Sequence, residues 1–340
     1  RRGTLVQGDS RGAGPGPRRL MSAFPAPVPR SAPWHGPLAL CAGLAQAASL
    51  ALPGSGQPVW WLQLASMAVL AALLRSSPTW RRAAALGGLF ATAWLAGTFW
   101  WLFISMHTYG GLSAPLAVAA VLALAAFLGS YYAAVSGIFK ALEPSGRAQA
   151  AIFFGALWML AELARGVWWT GFPWGAGGYA HVDGPLAALA RSIGVYGISG
   201  VAAALAMLLV QVRRSDLRST RAWALALALA SLGAGAAWQR HCAVEQCQTP
   251  AQSPAPPLPL ALLQGNIPQD EKFQPGSGVP MALQWYGDRL TSLAGALVVA
   301  PETALPLLPQ QLSPGYLEAI EQHFASGDSA ALLGMPLGSL

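Results

Sequence analysis

Long apolar runs broken by short, arginine-bearing joints fill residues 36–238, and a different rhythm of short strands and helices follows. Seven runs approach the ~20 apolar residues that a bilayer core requires. They cover roughly 36–52, 58–74, 83–106, 114–139, 148–165, 186–212 and 221–238, and each is predicted to be a membrane-spanning helix. Pro53-Gly54 shortens the first, while the third and fourth are long enough to tilt. Residues 239–257 are rich in Gln, Ser, Thr and Pro and read as a linker. The period then changes. Leu258–Leu263 reads as a strand, Val279–Leu293 as an amphipathic helix and Ala296–Ala300 as a buried strand. Pro314–Phe324 is a second helix and Ala330–Leu333 a third strand. This order implies a mainly parallel or mixed sheet with helices on its faces. Residues 258–340 are too few for a sheet covered on both sides, so the α/β domain is expected to be only a first part, truncated.

Composition sharpens the membrane reading. The chain is 54% hydrophobic and only 10% charged, against about 25% charged in an average soluble domain. An ordinary soluble globule is excluded. The net charge of +7 would raise nucleic acid as a partner, but the basic residues cluster between apolar runs and form no polar-interleaved face. They read as topology signals. With the N-terminus inside, the inner segments hold Arg75, Arg81, Arg82, Lys140, Arg147, Arg213, Arg214, Arg218 and Arg221, besides the arginines before the first span. The outer loops among the spans hold only Arg165 and Arg191. This bias places residues after 238 on the outer side. Trp60, Trp61, Trp100, Trp101, Trp168, Trp169, Trp174 and Trp238 fall at outer ends, and Trp34, Trp80 and Trp223 at inner ends, as interfacial belts do. Residues 1–35 form a basic arm with too little apolar content to fold. The domain plan is therefore 1–35 arm, 36–238 membrane helices, 239–257 linker and 258–340 α/β domain.

Of the three cysteines, Cys41 lies within an apolar run and reads as a core residue. Cys242 and Cys247 follow the last span, and whether they pair is open. No Cys/His spacing resembles a metal site, and the sequence points to no cofactor and no metal.

Three places carry chemistry. Glu302 follows the apolar strand Leu297-Val298-Val299-Ala300-Pro301, at the kind of strand exit where open α/β sheets keep their sites. A carboxylate there is expected to be partly desolvated and useful as a general base; a solvated loop acid or helix cap is the bland alternative. Gln264-Gly265-Asn266-Ile267-Pro268 ends another strand of the same rim. In the membrane part, the loop Trp168–Pro185 combines aromatics with glycines and includes Trp174, Tyr179, His181 and Asp183. It reads either as an interfacial anchor or as a wall of a site admitting acyl chains from the bilayer. Just before it, Glu162 and Arg165 are i,i+3 neighbours at membrane depth, functional candidates unless they simply satisfy each other.

Several of these stretches together resemble the bacterial apolipoprotein N-acyltransferase family, a membrane bundle joined to a nitrilase-like domain. They are Glu162-Leu-Ala-Arg165-Gly166, Thr170-Gly-Phe-Pro-Trp174, Gly178-Tyr179, Asp183-Gly184-Pro185, Gln264-Gly-Asn-Ile-Pro268 and Pro301-Glu302-Thr303-Ala304. The resemblance runs from about 37 to 340. It implies an α-helical multispan membrane bundle followed by a partial α/β nitrilase-like (αββα) domain, in the bacterial inner membrane with the C-terminal domain periplasmic. It implies a Glu-Lys-Cys triad with Glu302 as general base. A thiolate would take an acyl chain from a phospholipid donor, and the amine of a diacylglyceryl-cysteine apolipoprotein would accept it. Phe273 stands where the family commonly has Trp, and Phe273, Trp174, Tyr179, Glu162 and Arg165 are the implied substrate-binding candidates. No Lys or Cys follows Glu302 in these 340 residues, so the triad partners are expected beyond Leu340 and this chain alone is expected to be inactive. The rival readings are a membrane-anchored nitrilase or amidase-type hydrolase, in which water resolves the thioester, and a non-catalytic multispan membrane protein.

Overall fold

The computed structural model describes residues 33–213, 215–216, 230, 233–235 and 258–338. Apart from 230 and 233–235, the predicted span 221–238 lies outside the described residues, as do the linker 239–257, nearly all of the basic arm, Cys242 and Cys247. The chain divides into two compact units, Arg1–Phe99 with Ala120–Ala230, and Trp100–Ala119 with Ser231–Leu340.

The first unit is a helical bundle. Its helices are α1 (His35–Leu50), α2 (Trp60–Ser76) and α3 (Trp80–Thr98), then the larger part of α5 (Ala114–Ala141), α6 (Arg147–Val167) and α7 (Ala190–Leu209). By length and composition, Ala114–Ala141, Arg147–Thr170 and Pro185–Leu209 can cross a membrane. Trp80–Thr98 and Trp101–Tyr109 qualify together as a bent pair. The molecule is thus mostly helical, with several apolar helices compatible with a membrane bundle. Among the described residues this is fewer than the seven runs read from hydropathy, because α1 and α2 reach only 16 and 17 residues and the run 221–238 lies mostly outside the described residues.

Helices approach closely where glycine removes a side chain. A β-carbon on Gly43 of α1 would stand 2.1 Å from the Phe90 carbonyl of α3, and one on Gly155 of α6 would stand 2.5 Å from the Gly200 carbonyl of α7. The centre is aromatic. The indoles of Trp94 and Trp158 stack 6.0 Å apart, and the Tyr132 ring lies 4.9 Å from Trp158. Cys41 is exposed, not in the core. The buried face of α1 runs through Ala39, Ala42, Gly43, Gln46 and Ser49, and position 41 falls off that stripe.

Two groups of charges gather at one end of the bundle. Arg75 pairs with Glu143 at 3.2 Å, and Lys140 reaches the same carboxylate at 2.9 Å. Arg147 pairs with Asp216, and Gln211 links Arg75 to the Arg147 carbonyl. Residues counted as inner by their sequence thus share an end. The predicted 83–106 helix is interrupted. Thr98 Oγ1 bonds back to the Trp94 carbonyl at 2.9 Å, and the Phe99 N–H closes the last turn on Leu95. Helix resumes as the short α4 (Trp101–Ile104) and a wider turn over Ser105–Tyr109.

The second unit contains a three-stranded parallel sheet, ordered β1 (Leu260–Leu262), β2 (Leu297–Val299), β3 (Ala330–Leu332). Its helices are α8 (Gly278–Ser292) and α9 (Tyr316–Ala325). β2 occupies the middle, as its apolar sequence demands. Val298 is fully buried with Ala282, Tyr286, Leu290, Leu305 and Ile320. The strand exits at the carboxyl side form the rim on which Glu302 sits.

Candidate functional site

The rim of the α/β unit is built from three strand exits. After β1, Gln264-Gly265-Asn266 leaves the sheet with Asn266 in the left-handed region at φ 49°. The Gly265 N–H donates to the Tyr286 hydroxyl of α8 at 3.0 Å. After β2, residues 301–304 form a tight turn closed by the Ala304 N–H on the Pro301 carbonyl, with Thr303 at φ 56°. After β3, Gly334 lies against that turn. A cavity of about 250 Å³ opens between the exits of β1 and β2 and helix α8, lined among others by Gln264, Asn266, Lys272, Tyr286 and Glu302.

Glu302 is exposed, so the desolvation expected from its strand is not found. The reason is local: the turn lifts it away from the sheet, and burial resumes only at Ala304 and Leu305. The carboxylate remains a free acceptor at the mouth of the cavity, able to take a proton from a group bound there. Phe273 is exposed, with the Lys272 ammonium 5.8 Å from its ring centre. Lys272, Tyr286 and Gly334 escaped the sequence reading. The rarity of lysine in this chain was the available signal for the first; the other two are legible only from packing.

The membrane-side candidates form a different, fully buried arrangement. Glu162 and Arg165 are both 0% exposed. Each is turned toward the loop that follows. Arg165 Nη1 donates to the carbonyls of Phe172 and Trp174, both at 2.7 Å, and Nε to the Tyr132 hydroxyl at 3.1 Å. Glu162 accepts from the Gly177 N–H at 3.1 Å and from Ser199 Oγ at 2.9 Å. Gln63 of α2 donates to the Gly177 carbonyl at 2.7 Å and accepts from His181 Nε2, also at 2.7 Å. His181 is buried, and burial pushes its pKa down to about 4. Gly177 has to be glycine: a β-carbon there would stand 2.7 Å from Gln63 Nε2 and 3.1 Å from Glu162 Oε1.

The loop is therefore clamped, with its polar backbone inward and its aromatics outward. Trp174 and Tyr179 are more than half exposed, and the Trp174 ring packs edge-on against Phe172, 4.9 Å away. Backbone strain accompanies the clamp, with Trp169 and Thr170 at φ 56° and 73°. Gln63 and Ser199 were not singled out by sequence, and His181 was named only as a member of the outer loop. The signal was a polar side chain inside an apolar helix, where an unpaired group is costly. The two constellations lie in different units.

Comparison with known proteins identifies one family. Residues 42–208 match the apolipoprotein N-acyltransferase N-terminal domain. The apolipoprotein N-acyltransferase of Verminephrobacter eiseniae is 66% identical over 310 residues, covering 90% of this chain and 58% of the relative. That of Ralstonia nicotianae is 41% identical over 280 residues, covering 81% and 51%. That of Pseudomonas putida is 37% identical over 310 residues, covering 89% and 58%. The chain thus spans little more than half the length of these relatives.

Proposed function

The chain belongs to the apolipoprotein N-acyltransferase family, and from that premise we propose that it is part of an enzyme moving an acyl chain from a phospholipid to the amine of a diacylglyceryl-cysteine on apolipoproteins. The observation that carries this reading is the position of Glu302, an open acceptor on a strand-exit cavity. In the proposed chemistry Glu302 removes the thiol proton, and the thiolate attacks the ester carbonyl of the phospholipid. A thioester forms, and the lysophospholipid leaves as an alcohol whose oxygen takes the proton back from Glu302, which is a carboxylate again. In the second half Glu302 takes a proton from the attacking amine, the amide bond forms, and the thiol is released. The thiol and an oxyanion-stabilising lysine come from the part of the enzyme following this segment.

The α/β unit is proposed to be the first part of a nitrilase-like domain on the periplasmic side of the inner membrane, with the N-terminus cytoplasmic. The charge bias of the joints and the shared end of Arg75, Lys140 and Arg147 support this orientation. The clamped loop 168–185, with Trp174 and Tyr179 outward, is proposed as a wall for acyl chains.

The rival within the same fold is a hydrolase, in which water resolves the thioester. A full-length version given labelled phospholipid and excess diacylglyceryl-cysteine peptide should accumulate labelled amide. Free fatty acid with no amide would favour the hydrolase.

A further inference from the structure

We propose that the cavity wall facing Glu302 is a subsite for a phosphate group with Lys272 as its charged contact; resting on the acyl-transfer reading above, it takes the phosphodiester of the donor phospholipid. The chain has two lysines. Lys140 is engaged, donating to Glu143 and to the Arg75 carbonyl, both at 2.9 Å. Lys272 makes one long hydrogen bond, to the Glu302 carbonyl at 3.4 Å, and lies 5.8 Å from the Phe273 ring centre, which leaves the three donors of its ammonium largely available.

Its backbone is fixed. The N–H groups of Glu271 and Lys272 both donate to the Pro268 carbonyl, at 3.1 and 2.9 Å. Gly278 sits so close to the Glu271 carbonyl that a β-carbon there would stand 2.0 Å from it. The half-buried side chain is thus directed from an ordered turn. Among the described residues it is the one cation lining the cavity, and the rest of the wall carries the carboxamides of Gln264, Asn266 and Gln269.

An ammonium beside several amide donors is the donor set that phosphate oxygens accept, and lysine serves phosphate as a point charge. Charge makes the cation necessary. Glu302 and a phosphodiester in one small cavity repel, and a cation at the Glu302 backbone offsets that repulsion. The geometry also fits the reaction, because in a diacyl phospholipid only the glycerol backbone separates the ester carbonyls from the phosphate. An ester held near Glu302 brings its phosphate to the Lys272 side.

The two lysines give a direct readout. Reductive methylation with ¹³C-formaldehyde keeps the charge and labels Lys140, Lys272 and the N-terminus. The labelled chain in neutral-detergent micelles is titrated with dihexanoyl phosphatidylglycerol, with inorganic phosphate, and with dihexanoylglycerol, which has the chains but no phosphate. Lys272→Met assigns the signal. The expected result is a saturable shift of the Lys272 signal with the phospholipid, none with dihexanoylglycerol, and a stationary Lys140 signal. A shift with inorganic phosphate in addition supports the same phosphate subsite. A shift with inorganic phosphate alone overturns the lipid assignment. No shift with either, or an equal shift with dihexanoylglycerol, overturns the proposal. The readout requires no acyl transfer. A silent Lys272 beside Glu302-dependent thioester formation in a full-length version would sink the subsite alone, and loss of Glu302 dependence would sink the reading of the site.

Discussion

Gly334 leaves no room for a side chain beside Glu302: a β-carbon on it would stand 2.7 Å from the Glu302 Cα, and equally close to the Pro301 carbonyl oxygen and the Thr303 nitrogen. The obstructing atoms are backbone, so no rotamer change relieves the clash. The exit of β3 therefore sets where the turn after β2 carries its carboxylate. Gly334→Ala is expected to push the 301–304 turn outward while the core around Val298 stays intact. In a full-length version the first-half rate should drop by about tenfold or more, since small misplacements of a catalytic group cost heavily. KM for phospholipid should change little. A raised KM at unchanged kcat would instead mark Gly334 as part of the substrate wall.

Arg165 and Trp174 separate structure from function in the outer loop. Arg165→Met removes the donor for two carbonyls and for Tyr132, from a side chain that is itself 0% exposed. Hydrogen bonds to charged groups are worth about 1.5–3 kcal/mol. Thermal unfolding in detergent should show a loss of that order, with earlier proteolytic cutting within 168–185. Trp174→Ala removes the half-exposed ring with its edge contact to Phe172 and leaves the carbonyl clamp in place. Its unfolding should match the wild type while thioester formation in a full-length version slows. Normal thioester formation would reduce the loop to an interfacial anchor.

His181 predicts an acid-side weakness. Its folded pKa is pushed down to about 4 by burial, whereas an unfolded histidine takes its proton near ~6.5. Between those values the unfolded chain binds more protons, so stability is full above about pH 6.5 and falls as the pH drops toward 4. The limit is about 1.4 kcal/mol per pH unit. His181→Gln keeps a donor for Gln63 and removes the titration. The gap between the wild-type and variant unfolding curves should therefore change between pH 6.5 and 4.5. Parallel curves would show that His181 keeps its ordinary pKa.

The legible parts of this molecule were those written in local pattern. The run 297–300 is apolar on both faces and does lie between β1 and β3. The apolar stretches 114–139 and 148–165 are helices α5 and α6 within a few residues. What stayed hidden depends on distant contacts. Glu162 and Arg165 read either as functional candidates or as a pair that satisfies itself; each bonds instead to residues 7 to 37 positions away. The break after Thr98 leaves no Pro in an unbroken apolar run. The exposure of Glu302 follows from a turn whose strained residue is Thr303, a type with no strong preference for that conformation.

Glu302→Gln tests the central claim most directly. Glutamine keeps the shape and hydrogen-bonding reach of the carboxylate and removes its basicity. In a full-length version, wild type and variant are mixed with labelled phospholipid and the thioester is trapped over time. The account predicts formation slowed by about 10²–10⁴-fold, the usual cost of losing a general base, with phospholipid binding retained. Thioester formation by the variant at a near-wild-type rate would contradict the assignment of Glu302 as the base.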